Sequence, residues 1–298
     1  MRFVSPKALV LDARKRGYAV PAFNTNGGSY DIMRAALEAA QESASPMILQ
    51  EYEPNCAYRG FRQFAALADF LCDDLRITVP VALHLDHGKS FESVAQAMQA
   101  GFTGVMFDAS HDPLEENIAK TRKVVEVARA LEVAVEAEIG YVKGNEPPKE
   151  KQVGRVPVPE RPAITPAKTS LAEAQKFAAA VEVDMLAVSI GTMHGVFQHQ
   201  TEIDYELLKV LRKALPVPLV QHGTCGIATR DLTQLAKCGM SKINFGEPFR
   251  YNYIRYFNEL ADSMEHLWHA WRIQQAVKDR LKAEMKELLL ALGSNNKA

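Results

Sequence analysis

The stretch VPVALHLDHG, residues 79–88, passes from an almost unbroken apolar run into an acid, a histidine and a glycine. A strand with one wet face alternates apolar and polar residues, whereas a strand covered on both faces stays apolar throughout. Residues 79–85 therefore read as a strand of a parallel sheet. Seven more runs have the same character: YAVPAFN (18–24), PMILQE (46–51), GVMFDA (104–109), VAVEAEI (133–139), MLAVSI (185–190), VPLVQH (217–222) and SKINF (241–245). Amphipathic stretches lie between them. Residues 29–43 place Ile32, Ala36 and Ala39 at helical spacing, and 61–74, 90–100, 113–131 and 169–181 behave likewise. The last opens on a capping box, Thr169 or Ser170 followed by Glu173. Eight strands with helices between them predict an α/β fold, a (β/α)8 TIM barrel closed by right-handed crossovers, in one domain spanning 1–298. An open doubly wound sheet is the alternative, but no GxGxxG follows the first strand.

Two segments break the alternation. Residues 140–168 are rich in proline and charge and too long for an ordinary βα connection, so they read as a lid loop. Residues 248–298 read as a C-terminal helical extension whose aromatics pack on a neighbouring subunit or on the barrel. The 298 residues are 47% hydrophobic with a formal net charge of −1 and no block of like charges, which gives no sign of a nucleic-acid surface. The four cysteines form no CxxC pair and suit a reducing compartment. The N-terminal stretch is charged throughout, and no run approaches the eighteen apolar residues of a membrane span. The expectation is a cytoplasmic protein with neither nucleic acid nor membrane as partner.

The chemistry concentrates in three histidines beside glycines: His87, His194 in LAVSIGTMHG (186–195) and His222 in VPLVQHGTCG (217–226). One histidine at a strand end is commonly a packed, hydrogen-bonded residue. Three at equivalent strand ends, one next to Asp86, suggest instead a catalytic zinc with three protein ligands and an open position. Asp86 is then an acid/base candidate beside a Lewis acid. Asn24, Asp108, Glu138 and Asn244 also fall at strand C-termini, which a barrel gathers on the face where active sites are built.

These residues lie in motifs that resemble the class II, zinc-dependent ketose-bisphosphate aldolases, the family of fructose- and tagatose-bisphosphate aldolases. The motifs are PAFN (21–24), HLDHG (84–88), GVMFDASH (104–111), EAEIG (136–140), SIGTMHG (189–195), QHGTCG (221–226) and KINF (242–245), in the family's order over roughly residues 5–250. The resemblance implies zinc on His87, His194 and His222, and a proton exchange between Asp86 and the C4 hydroxyl of a ketose. It implies an enediolate hydrogen-bonded by Asn244, with Asn24 on the substrate side. It gives Glu138 and Asp108 to a second metal or monovalent cation position, or to orienting the zinc ligands. Glu146 would move a proton at C3, and backbone at Gly195 and Gly223 would cradle a phosphate. A sugar substrate and a homodimer or homotetramer follow from the same likeness.

The chain departs from the family at the phosphate end. Cys225 stands where a serine is usual, Glu247 where a threonine is usual, and Tyr52 follows strand two between Glu51 and Glu53. A thiol is a weak donor and a carboxylate repels phosphate, so these changes predict weak cleavage of fructose 1,6-bisphosphate and a donor with no phosphate, or a different group, on C1. Other classes fit less well. A zinc hydrolase on this fold would carry an HxH pair after strand one, absent from PAFNTN. Lys242 is the one attractive residue for a Schiff base, and it precedes the KIN asparagine. A non-catalytic carbohydrate-binding relative would have no need of Asp86 and all three histidines.

Overall fold

The computed structural model describes residues 3–142, 159–162, 166–200, 202–263 and 269–298. Eight parallel strands close into a barrel in sequence order: β1 (Val20–Asn24), β2 (Met47–Tyr52), β3 (Val81–Gly88), β4 (Gly104–Phe107), β5 (Ala134–Ile139), β6 (Met185–Val188), β7 (Leu219–Gln221) and β8 (Met240–Phe245). The first helix, α1 (Pro6–Arg16), precedes β1, and α2 (Tyr30–Glu42) follows it. After β2 come α3 (Glu53–Arg59) and α4 (Phe61–Asp74), then α5 (Phe91–Gln99) and α6 (Leu114–Ala130) after β3 and β4. The second half adds α7 (Leu171–Ala180), α8 (Tyr205–Ala214) and α9 (Thr229–Cys238), and ends on α10 (Glu247–Ser263) and α11 (Ala270–Ala291). The barrel expected from the apolar runs is the one observed. At α7 the cap is Ser170, whose hydroxyl accepts from Glu173 N–H. Thr169 instead donates to Ile139 O and accepts from Ser189 N–H.

Side chains alternate along each strand. Phe23, Leu49, Leu83, Leu85, Val105, Val135, Ile243 and Phe245 face outward into the core shared with the helices. The inward set is layered. At the bottom, Val20, Ala22, Ile48, Ala82, Ala134, Met185, Ala187 and Val220 cluster with Leu9, Val10 and Ala13 of α1. The small residues leave room for that helix, which plugs the barrel from below. One step up the strands, Gln50, His84, Glu136 and Lys242 are all 0% exposed. One further step puts Asn24, Asp86, Glu138 and Asn244 at the mouth, because strand residues two apart share a face.

The C-terminal extension packs on the barrel. Ile273, Val277, Leu281, Met285 and Leu289 recur every fourth residue on the buried side of α11. Its charges pair with α2, Lys278 with Glu38 at 2.8 Å and Lys282 with Glu42 at 2.8 Å. Among the described residues no helix is long and apolar enough to cross a membrane.

Candidate active site

The mouth of the barrel holds a cavity of about 280 Å³ lined by Asn24, Asp86, His87, Asp108, His194, Gly195, Gly223, Asn244 and Glu247. Lys89, Arg250, Tyr52, His111 and Tyr141 complete its rim. A larger hollow of about 570 Å³ beside it, walled by Phe197, Phe245 and Leu288, contains none of the three histidines.

Consecutive strand residues point to opposite faces, so Asp86 and His87 could not both face the cavity from a regular strand. His87 has φ +50°, left-handed for a non-glycine residue, and the β3–β4 register shifts between Leu85 and Gly88. The local twist brings both side chains to the mouth. Strain of this kind costs on the order of 1–3 kcal/mol and persists where surrounding structure imposes it.

Each of the three histidines has a carboxylate on one ring nitrogen. Asp108 Oδ2 lies 2.8 Å from His87 Nδ1, Glu247 Oε1 lies 3.0 Å from His194 Nδ1, and Glu136 Oε1 lies 2.8 Å from His222 Nε2. The opposite ring nitrogens converge. His87 Nε2 and His222 Nδ1 are 3.0 Å apart, and His194 Nε2 is buried with no hydrogen-bond partner. Among the described residues the three rings offer ligand atoms within 4.8 Å of one another, and so do His87, Asp108 and Glu138. Carboxylates behind the rings and converging nitrogens in front match what a divalent metal such as zinc requires of imidazole ligands.

The field of the site points the same way. Burial opposes charge on His87, but Asp86, Asp108 and Glu138 outweigh it and push its imidazole up to about 10. The negative field that favours a proton there also favours a divalent cation. Burial and His87 together hold His222 down to about 4. Burial would raise Asp86, yet His87, His222 and Lys242 with the Asn24 N–H keep it below the usual carboxylate range. Its carboxylate is clamped from two sides, by Asn24 Nδ2 at 2.7 Å and Asn244 Nδ2 at 3.3 Å. Burial and nearby Asp108 push Glu138 up to about 7; one oxygen accepts from Val142 N–H and the other has no partner.

The chain belongs to the class II fructose-bisphosphate aldolase family. The model of that family, fructose-bisphosphate aldolase class-II, matches residues 4–297. Fructose-bisphosphate aldolase of Staphylococcus aureus is 35% identical over 306 residues, covering all of both chains. A probable fructose-bisphosphate aldolase of Bacillus subtilis is 35% identical over 303 residues, again over all of both chains. Among solved structures, the YdjI aldolase of Escherichia coli K12 superposes with a TM-score of 0.83 at 27% identity, covering 99% of each chain. A putative fructose-1,6-bisphosphate aldolase from Coccidioides immitis gives 0.82 at 25% identity, covering 97% of this chain and 96% of that one. The protein is thus an enzyme, an aldehyde-lyase of a zinc-dependent family.

At the phosphate end, side-chain directions change what the family departures mean. The sequence assigns Cys225 to the substrate subsite. Instead its buried thiol donates to Phe197 O at 3.7 Å and it lines the larger neighbouring hollow. Glu247 does border the cavity at the barrel mouth, but its carboxylate is taken up by His194 rather than left facing a donor. Tyr52 lies edge-on to His87, with ring centroids 6.1 Å apart. Glu51 turns away to accept from Thr25 and the Gly28 N–H. The repulsion expected from these substitutions therefore loses its two main supports. Glu146 and most of the expected 140–168 lid lie outside the described residues.

Two residues of the site lie outside the sequence prediction. Glu136 is the inward partner of Glu138 on β5. It joins His222 to Lys242, whose Nζ is 2.8 Å away, with His84 Nε2 at 3.2 Å. A fully buried Lys242 held by that carboxylate is not the unpaired amine a Schiff base needs. Gln200 has no motif around it. Its amide nitrogen donates to Met193 O, Gly223 O and Cys225 O, and its oxygen accepts from Met193 N–H. It thereby ties the loop carrying His194 to the loop after His222. Those loops touch because residue 223 has no side chain: a Cβ there would lie 2.6 Å from Met193 backbone at φ +66°.

Proposed function

We propose that this protein catalyses the reversible, zinc-assisted retro-aldol cleavage of a phosphorylated ketose, with His87, His194 and His222 holding the metal and Asp86 moving the proton. The observation that carries this reading is the set of three carboxylate-backed rings converging within 4.8 Å beside an anionic Asp86. A divalent cation bound there supplies Lewis-acid polarisation of the ketose carbonyl and stabilises the negative charge that develops on its oxygen.

The chain's own groups do the rest. Asp86 is buried, anionic and fixed by two amide N–H groups, so it accepts the proton of the hydroxyl β to the carbonyl as the carbon–carbon bond breaks. That hydroxyl oxygen becomes the aldehyde, and the electron pair of the broken bond enters the carbonyl system as an enediolate. Asn244 Nδ2, between Asp86 and His222, is the side-chain donor for the resulting oxygen anion. Glu138 and Asp108 border a second cation position beside His87. Arg250, Lys89 and the backbone at Gly195 and Gly223 supply the cavity with positive charge and N–H donors for phosphate. With Cys225 turned away and Glu247 occupied by His194, a ketose 1-phosphate or bisphosphate fits better than an unphosphorylated sugar. The names of the relatives support the same substrate class.

Exposed Tyr58, Tyr251, Ile254 and Trp271 support a homodimer or homotetramer, and four free thiols support a reducing cytoplasm. The deciding experiment is a screen of phosphorylated and free ketoses for aldehyde release, before and after chelation and after zinc is restored. Release from phosphorylated ketoses that is lost on chelation and regained with zinc is expected. Full activity with metal absence verified, or cleavage confined to free sugars, would overturn the proposal.

A further inference from the structure

We infer that Glu247 is a positioning residue for His194, fixing that ring as a metal ligand from the first residue of α10 rather than contacting substrate. The inference rests on the metal-centre reading above. It starts from an asymmetry among the three rings. His87 lies within β3 and His222 directly follows β7, so strand backbone fixes where each ring leaves the barrel wall. His194 lies six residues past the end of β6, in a loop joined to its neighbour through Gln200. It is the ligand whose orientation the sheet controls least.

Glu247 supplies that control. Its Oε1 is 3.0 Å from His194 Nδ1. A carboxylate there accepts the Nδ1–H and selects the tautomer whose lone pair sits on Nε2, the buried nitrogen left without a partner. The pattern repeats Asp108 on His87 and Glu136 on His222, so removing Glu247 would leave one ring of three without its carboxylate. Position favours the charge as well: Glu247 opens α10, where the helix dipole stabilises an anion. The length of the side chain matters too. Helix α10 starts two residues beyond Phe245 of β8, and a hydroxyl on a one-carbon stem at 247 stops well short of the distance a glutamate spans.

The test measures zinc binding, apart from turnover. Metal-free wild type, Glu247→Gln, Glu247→Thr and Glu247→Ala are titrated with zinc against a chromophoric chelator, and the visible spectrum of each cobalt-substituted form is recorded. Loss of a carboxylate behind a metal-binding histidine weakens affinity about 10–100-fold. Alanine and threonine should show that loss together with an altered cobalt spectrum. Glutamine keeps an acceptor oxygen at the same reach and should fall between them and wild type. Melting of the metal-free proteins separates ligand orientation from folding. If alanine does not fold, threonine and glutamine decide. Wild-type zinc affinity and an unchanged cobalt spectrum in the threonine or alanine variant would overturn the inference. Failure of the wild type to bind zinc at all would instead overturn the metal centre itself.

Discussion

Gly223→Ala tests whether close contact between two loops places His194 and His222. The added Cβ would lie 2.6 Å from both C and O of Met193, against 3.4 Å for the start of ordinary contact. One backbone must therefore retreat by roughly 0.8 Å, and overpacking of this kind costs about 1–3 kcal/mol. The residue sits at φ +66°, where a side chain adds about 1–2 kcal/mol of its own. Gly17→Ala isolates that second contribution, because Gly17 has φ +73° and a methyl added there would meet nothing within 4 Å. Chemical denaturation of the two metal-free variants should find Gly223→Ala costlier by about 1–3 kcal/mol, the contribution of the contact alone. The displacement also reaches the site, since the new Cβ would sit 3.1 Å from His194 N. Gln200, bonded to both loops, prevents them from simply parting. Misplacing a catalytic group by about 1 Å can lower turnover roughly 100-fold. If the two alanine variants unfold alike, and Gly223→Ala keeps wild-type turnover, backbone contact is not what places the ligand.

Three further outcomes follow from the geometry. Asp86→Ala should lower turnover by roughly 10²–10⁴ while zinc content, read by metal analysis, stays at the wild-type level; an unimpaired variant would make Asp86 a mere neighbour of the clamp formed by Asn24 and Asn244. Lys242→Met should cost about 3–5 kcal/mol in denaturation, because Glu136 would be left as an uncompensated buried charge, and Glu136→Gln in the same chain should recover part of it. Acid should loosen α11 before the barrel. Glu38 is held below its usual value against burial by Lys278 and Arg34, and Glu42 by Lys282 and Lys286. Carboxyls depressed in the fold stabilise it above their unfolded value near 4.5, and that contribution is lost as pH falls through the folded values. Hydrogen exchange in α11 should therefore accelerate between about pH 5 and 3 more than in the strands, and equal acceleration throughout would contradict the α2 pairing.

The barrel was legible in the sequence because parallel strands buried on both faces cannot alternate, and each apolar run does overlap a strand. The strand boundaries were less so. The run at 79–85 became β3 reaching Gly88, since the left-handed turn at His87 has no signature in residue type. Period-two reasoning links His84 to Asp86 on β3 and, applied to β5 and β8, Glu136 to Glu138 and Lys242 to Asn244. The buried ion layer was thus within reach of the sequence. Helix α1 was not, because its place as a plug follows only from the small residues Ala22, Ala82 and Ala134 meeting Leu9 and Val10 in space. Nor was the role of Gln200, whose partners are backbone atoms of two distant loops. At Cys225 and Glu247, residue identity alone did not say which group each side chain meets, and side-chain direction, towards Phe197 O and His194, decided it.

The plug formed by α1 makes the barrel a vessel with one opening. Beneath the histidines lie Glu136, Lys242 and His84, wholly removed from solvent, and beneath them the apolar layer sealed by Leu9 and Val10. For the cleavage proposed above, both fragments must leave by the same door.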